Sequence, residues 1–297
     1  MIKEICKDFK YKFKSHIPHS LMPYIICFQY YEKMGKKCNL KYPKTYTEKI
    51  QWAKINRDNK TLAMFADKLA VREWVKKSIG EEYLIPIIGN EIVRADDFNV
   101  DMMPQSFVIK ANHGCGYNLV VDDKDTIDEN YVKTIIKKWL AHNFAYELFE
   151  MQYSFIEPKI YIEENIRSKK MNDLPDYKFF CFDGKVCCLY YMINTYPDHN
   201  KAKLGIYDRN FKLLPYHRAD FAPIEENIMP PVNYETMVDI AEKLSKGFSH
   251  VRVDLYNVEG KIYFGEMTFS TGGGLFTYVP EIFDTILGNQ WNLESGI

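Results

Sequence analysis

Net charge is almost absent from this chain: 39 Lys and Arg stand against 40 Asp and Glu. Bulk positive charge therefore does not point to nucleic acid as a partner, although a local basic cleft remains open. No apolar run approaches the ~20 residues that a membrane span needs. The basic start, residues 1–14, has no apolar centre and does not read as a secretory signal. The seven cysteines are scattered, and no C-x-x-C pair or Cys/His spacing suits a zinc site. They read as reduced thiols of a cytoplasmic protein. Internal repeats and low-complexity linkers are missing. So is a P-loop, which needs Gly-x4-Gly-Lys-Ser/Thr leading into a helix.

What the chain has is a large apolar and aromatic content, with 22 Tyr and 19 Phe among 297 residues. That suits a sheet-rich protein of one large domain or two closely joined ones. "SLMPYIICFQYYEKMGKKCNL" reads as a helix ending near Gly35. It either packs on the main body or rests a basic surface on a membrane. "FADKLAVREWVKKSIG" reads as a helix capped by Asp67, with Val71, Trp74, Val75 and Ile79 as its apolar stripe and Gly80 just past its end. "EYLIPIIG" resembles a strand. "SFVIKANHGCGYNLVVDD" reads as strand, glycine loop, strand, and "DENYVKTIIKKWLAHNF" as an amphipathic helix. "EPKIYIEENI" is a strand before a polar loop, "RSKKMNDLP". "DYKFFCFDGKVCCLYYMI" is a hairpin turning at Asp183–Gly184. "NYETMVDIAEKLSKGF" is a helix, and "HVRVDLYNVEGKIYFGEMTFSTGGG" a second hairpin. Antiparallel hairpins interleaved with helices favour α+β over a doubly wound parallel sheet.

Several positions carry chemistry. Lys110 ends an apolar strand just before Gly114 and Gly116. A lysine there can meet phosphate oxygens while glycines let backbone N–H groups approach them. The loop leads into a strand, so a phosphate-covering hairpin fits better than a P-loop; a surface lysine beside an ordinary turn is the plainer reading. His113 is either a phosphate or substrate contact or a structural loop residue. Cys115 lacks the geometry of a nucleophile with a base beside it. In the last hairpin Arg252, Asp254 and Tyr256 alternate with Val251, Val253 and Leu255, and Glu266 shares a face with Thr268. Two carboxylates meeting on a sheet need something positive between them. Arg252 can supply it in a surface ion-pair cluster. So can magnesium, a hard ion that takes a couple of carboxylates and completes its shell with phosphate and water.

The order of these pieces resembles the ATP-grasp superfamily over roughly residues 60–290. "YPKTYTEKIQWAKINRDNKTLAMFADKLAVREWV", "VIKANHGCG", "DYKFFCFDGKV" and "YFGEMTF" resemble its TupA-like branch, named for teichuronopeptide biosynthesis, and extend the match back to about residue 43. The resemblance implies an ATP-grasp α+β fold, with ATP between two lobes. It implies a helical N-terminal extension over 1–58 and the first part of the core over 59–105. A small lobe with the glycine hairpin would cover 106–165, and a large lobe with the metal site 166–297. Lys68 and Lys110 would reach the ATP phosphates, beside His113, Gly114 and Gly116. Glu163 and Glu164 would hold adenine and ribose, with Asp176 near the ribose and Lys178 a further basic contact. Arg252 would steady an acyl phosphate, and Asp254 and Glu266 would bind magnesium, two ions in all. Where many relatives have Glu-x-Asn this chain has Thr268, a weaker magnesium ligand. Gly272, Gly273 and Gly274 would let substrate approach backbone.

The implied activity is carboxylate–amine ligation through an acyl phosphate, with ADP and phosphate as products. Family setting points to a uronic acid, free, nucleotide-linked or lipid-linked, and an amino acid or amino alcohol, in capsule or surface polysaccharide synthesis. Peripheral contact with the inner membrane or with polysaccharide enzymes goes with that setting. A kinase-like sugar phosphotransferase and a non-catalytic ATP-binding module are the other classes left open.

Overall fold

A computed structural model describes residues 14–167 and 173–297. Most of the loop expected at "RSKKMNDLP" lies outside the described residues. Helix α1 (Met22–Met34) stops where Gly35 turns left-handed at φ +68° and returns its N–H to Tyr31. Helix α2 (Tyr46–Asn56) opens on a capping box: Thr45 accepts from the Glu48 N–H and Glu48 reaches back to the Thr45 N–H. Helices α3 (Asn59–Ala66) and α4 (Val71–Ser78) follow. The helix expected to start from its Asp67 cap begins later, at Val71: Asp67 Oδ1 accepts from the Leu69 and Ala70 N–H groups and forms a turn first. Lys68 is left in the gap between two helices.

A three-stranded antiparallel sheet has the order β2-β1-β3, built from β1 (Phe107–Ala111), β2 (Asn118–Val121) and β3 (Ile160–Glu164). The odd positions of β1 and the even positions of β3 pack under Val132 and Ile136 of α5 (Glu129–Ala141). Lys110 and Glu163 fall on the opposite face. The "EYLIPIIG" strand does not form. The segment runs beside β3, with Ile88 N–H on Ile162 and Glu164 N–H on Pro86, but Pro86 offers no donor and Gly89 turns away at φ +69°, so only isolated bridges result. A single turn, α6 (Ala145–Leu148), lies between α5 and β3, and only after β3 does the chain enter the larger sheet.

That sheet has the order β10-β9-β4-β5-β6-β8. It comprises β4 (Asp176–Phe182), β5 (Lys185–Ile193), β6 (Lys203–Asp208), β8 (Ala222–Pro223), β9 (His250–Val258) and β10 (Lys261–Thr268). A two-residue strand, β7 (His217–Arg218), pairs instead with β11 (Tyr278–Val279). The two long hairpins close at Asp183–Gly184 and Glu259–Gly260, all four with positive φ, as tight hairpin turns demand. Among the described residues only β6 and β8 run parallel, in keeping with α+β.

The two faces of this sheet are covered unequally. One buries Tyr177, Phe179, Val251, Val253 and Leu255 beneath α7 (Tyr234–Leu244) and residues of α3 and α4. On the other, Phe180, Phe182 and Tyr190 are covered by α2 and α8 (Ile282–Gln290). Tyr46 of α2 anchors this cover, its hydroxyl 2.8 Å from Nε2 of buried His250. The remainder of that face carries polar residues.

The glycine triplet belongs to the same cover. Gly272, Gly273 and Gly274 all have left-handed φ, from +53° to +65°. Gly273 and Gly274 are buried, and their carbonyls accept from Gln51 Nε2 at 2.9 Å each. Lys54 Nζ adds a bond of 2.6 Å to Gly273 O. A Cβ at Gly273 would come 2.5 Å from Leu148, and one at Gly274 would fall on Gln51 and 2.8 Å from Ile50 Cγ2. These two glycines admit Leu148 and helix α2 rather than a substrate; of the three, only Gly272 is exposed. Gly274→Ala should therefore cost about 2–4 kcal/mol through left-handed strain and overpacking. A denaturant midpoint unchanged from wild type would refute this reading.

Candidate active site

The polar floor arises from strand alternation and one irregularity. On β9 the even residues Arg252, Asp254 and Tyr256 face away from the α7 side. Lys178 of β4 lies directly across from Asp254 on one side, and Glu266 of β10 on the other. Thr268 pairs with Arg252. Glu266 is there because β10 bulges at Gly265. Before the bulge Ile262 and Phe264 enter the core; after it Met267 and Phe269 do. An unbroken ladder would set Glu266 against Val253, inside the core. A Cβ on Gly265 would sit 3.1 Å from Asp254 O, which favours glycine there.

Cations and carboxylates alternate across this floor. Arg252 forks onto Asp254, Nε to Oδ1 at 2.6 Å and Nη2 to Oδ2 at 2.7 Å. The same Nη2 lies 3.2 Å from Glu266 Oε1 and 3.0 Å from Thr268 Oγ1, and Nη1 donates to Thr271 Oγ1 at 3.3 Å. Lys178 Nζ stands 2.8 Å from Asp254 Oδ2 and 3.3 Å from Asp176 Oδ1. Lys68 bridges the two sheets, 2.7 Å from Gly114 O in the glycine hairpin and 3.3 Å from Glu266 Oε2. On the smaller sheet Lys110 pairs with buried Glu163. Burial alone would raise the Glu266 carboxyl, but Lys68, Arg252 and Lys178 outweigh it and hold it near 2. Burial raises Asp176, with Lys178 opposing.

Seven of the sequence-derived candidates thus converge: Lys68, Asp176, Lys178, Arg252, Asp254, Glu266 and Thr268 form one connected floor. Lys110 and Glu163 stand on the sheet beyond Lys68, and Glu164 is exposed at the end of β3. His113 does otherwise. It is 1% exposed, with Nε2 3.1 Å from the carbonyls of both Trp139 and His142 and Nδ1 3.2 Å from Asn112 Oδ1. Its ring fastens the hairpin to α5 and is not free to meet a phosphate. Cys115 lies exposed between the left-handed Gly114 and Gly116.

Three residues at the site escaped the sequence reading. Glu150 is 6% exposed. Burial raises its carboxyl, with Lys54, Arg252 and Lys68 opposing and Glu266 adding to the rise. Lys54, also buried, is lowered chiefly by desolvation. Arg218 lies beside Gly272, forked onto Asp220 and 4.1 Å over the Phe276 ring. No pattern marks "FEMQY" or "YHRAD" as functional; only tertiary burial singles them out.

The site suits magnesium. Asp254, Glu266 and Thr268 are hard oxygen donors on neighbouring strands, and no cluster of three His, Cys, Asp or Glu side chains able to hold a metal occurs among the described residues. An ion held here would draw at most two carboxylates from the chain and fill its shell with phosphate and water, as magnesium does.

A two-carboxylate floor with an arginine faces a lysine-bearing sheet and a glycine hairpin, the arrangement that the resemblance to ATP-grasp proteins implies. Within that superfamily the family model described as TupA-like ATP-grasp matches residues 48–292, and the chain belongs to that family. ATP-dependent ligation is the general activity of the superfamily. The comparison with curated proteins gives no match. Among solved structures the chain is similar to D-alanine–D-alanine ligase from Bacillus anthracis complexed with ATP. Identity is 17%, over 69% of this chain and 54% of that one, with a TM-score of 0.37. It is also similar to biotin carboxylase from Campylobacter jejuni (12%, 79% and 48%, TM-score 0.41). An N5-carboxyaminoimidazole ribonucleotide synthetase with ADP is a third (10%, 75% and 50%, TM-score 0.44). The chain spans about half the length of these structures.

The floor makes its own pH prediction. Glu266 is depressed from 4.5 to about 2, so its contribution is complete above about pH 4.5 and is lost as pH falls toward 2. Urea titrations between pH 7 and 2.5 should show this decline, and Glu266→Gln should flatten it. Asp254→Asn would leave Arg252 and Lys178 without their shared carboxylate and should destabilise by about 3–5 kcal/mol. An Asp254→Asn protein as stable as wild type would remove the buried fork from the account.

Proposed function

We propose that this chain is a carboxylate–amine ligase that activates a uronic acid with ATP and joins it to an amino acid or amino alcohol in capsular or surface polysaccharide synthesis. The uronic acid is free, nucleotide-linked or lipid-linked. The observation that carries the reading is the row Glu266–Asp254–Lys178, with Arg252 forked onto Asp254. Such a floor stabilises phosphoryl charge, which is the main demand of this chemistry.

Lys68 and Lys110 take the phosphates of ATP, and Glu163 and Asp176 the nucleoside. Asp254 and Glu266, with Thr268 beside them, would hold two magnesium ions. Those ions would supply charge neutralisation for a γ-phosphoryl passing to the substrate carboxylate. Arg252 turns from its carboxylate partners to the acyl phosphate so formed. The amine then attacks the acyl carbon, phosphate leaves, and the amine proton passes to Glu150. A carboxyl raised by burial is suited to receive it near neutral pH. The hairpin at Gly114–Gly116 covers the site, because water would hydrolyse the acyl phosphate.

Uronic acids crossed with amines, read by ADP release and product mass, test this directly. ADP should appear only when both substrates are present, with an amide as product. A stable phosphorylated sugar formed without amine, or nucleotide binding with no turnover for any pair, would sink the ligase reading. Lys110→Met should lower kcat by roughly 30- to 1000-fold, the equivalent of about 2–4 kcal/mol of phosphate stabilisation. It also strips buried Glu163 of its cation, so Lys110→Met with Glu163→Gln is the better-folded comparison. Glu150→Gln should reduce kcat about 100-fold with ordinary amines. Hydroxylamine, already neutral at pH 7, should restore the rate; failure to do so would end the proton-acceptor role.

A further inference from the structure

Helix α1 is apolar on two sides. Its inward side is accounted for: Met22 and Ile26 are buried with Phe149 and Ile55, and Tyr30 is buried with its hydroxyl 3.0 Å from Thr47 Oγ1. Its outward side carries Leu21, Tyr24, Phe28 and Tyr31, exposed by 48%, 74%, 61% and 53%. Their spacing is three, four and three residues, so they form a single stripe along the helix. Tyr42, 65% exposed, adds another ring, with Lys41 Nζ 5.3 Å from its centroid. A helix apolar all round normally lies inside a protein or a membrane, yet this one lies at the surface.

Charge says what covers the stripe. Residues 14–44 contain six lysines and one glutamate, in a chain whose net charge is -1. Lys33, Lys37, Lys41 and Lys44 are exposed, and the one ion pair of Lys36 is with exposed Glu281. Tyrosine and phenylalanine bordered by lysine is the composition of a segment lying in the headgroup layer of an anionic bilayer: rings enter the acyl boundary and lysines meet lipid phosphates. A second protein would not require the positive rim, and no helix among the described residues is long and apolar enough to cross the membrane itself.

We propose that α1 and the Lys36–Lys44 segment dock this protein onto an anionic lipid surface. The consequence for the site is mechanical. Helix α1 packs on α2 through Tyr30 and Thr47, and α2 holds Gly273 and Gly274 through Gln51 and Lys54. The surface that meets lipid is thus tied through two helices to the loop that follows Thr268. Docking does not depend on the ligase reading, and its test needs no turnover.

Vesicles of phosphatidylglycerol and phosphatidylethanolamine, beside vesicles of phosphatidylcholine alone, are the probes. The full chain should co-sediment with the anionic vesicles and weakly or not at all with the neutral ones, losing affinity as salt rises. Tyr24→Ser, Phe28→Ser and Tyr31→Ser together should weaken binding at least about tenfold. These side chains point outward, so the melting temperature should hold within a few degrees, which separates lost docking from lost folding. Phe28→Trp provides a positive signal: its fluorescence should shift to the blue with anionic vesicles only. No co-sedimentation, equal binding by the triple variant, or an unshifted tryptophan would overturn the proposal. So would a stable dimer in solution that the triple variant dissolves, since a second copy would then be what covers the stripe.

Discussion

The fork between Arg252 and Asp254 is the constraint around which the site is arranged. Both side chains are buried at 8% and 2% exposure, on the same strand and two residues apart. A buried guanidinium demands a carboxylate, and Asp254 answers both Arg252 and Lys178. Each neighbour follows from this pair. Asp176 balances Lys178, Glu266 accepts the remaining reach of Arg252, and Lys68 answers Glu266 while holding the glycine hairpin of the smaller sheet. Two sheets are thereby linked through alternating charge.

The N-terminal helices are part of this machine rather than an appendage. Helix α2 covers the apolar half of the floor sheet and clasps the glycine triplet, so the floor ends where α2 begins. Helix α1 stands outside it with a stripe of rings turned away from the core. The route from surface to site runs through side chains that touch: Tyr30 to Thr47, then Gln51 and Lys54 to Gly273, then Thr271 to Arg252. Buried Thr47 is held independently by Asp284 of α8, at 2.9 and 2.6 Å, so both chain ends brace the same corner.

Much of this was legible in the residues. Period-two alternation in "HVRVDLY" placed Arg252 and Asp254 on one face, and Asp183–Gly184 and Gly260 marked the hairpins. The order of lysine, glycine hairpin, paired glutamates and R-x-D pointed to the ATP-grasp family. Other parts were misread for identifiable reasons. "EYLIPIIG" has strand composition, but Pro86 and Gly89 break its ladder. The polar ring of His113 looked available, yet two carbonyls from the end of α5 enclose it. The triplet at Gly272–Gly274 suggested room for a substrate, and Leu148 at Gly273 and helix α2 at Gly274 fill that room.

The sequence by itself determined the strands and their faces, because alternation and turn residues act over a few positions and need no knowledge of distant neighbours. It determined the inventory of cations and carboxylates as well. Which of them meet was decided only by the tertiary structure. The bulge at Gly265 moved Glu266 from the core side to the floor, a shift of one residue that becomes visible once β10 is laid against β9. Glu150 stands out only by its burial in the folded molecule. Burial and the distances between charges are properties of the packed molecule, and they set the ionisation on which the chemistry depends.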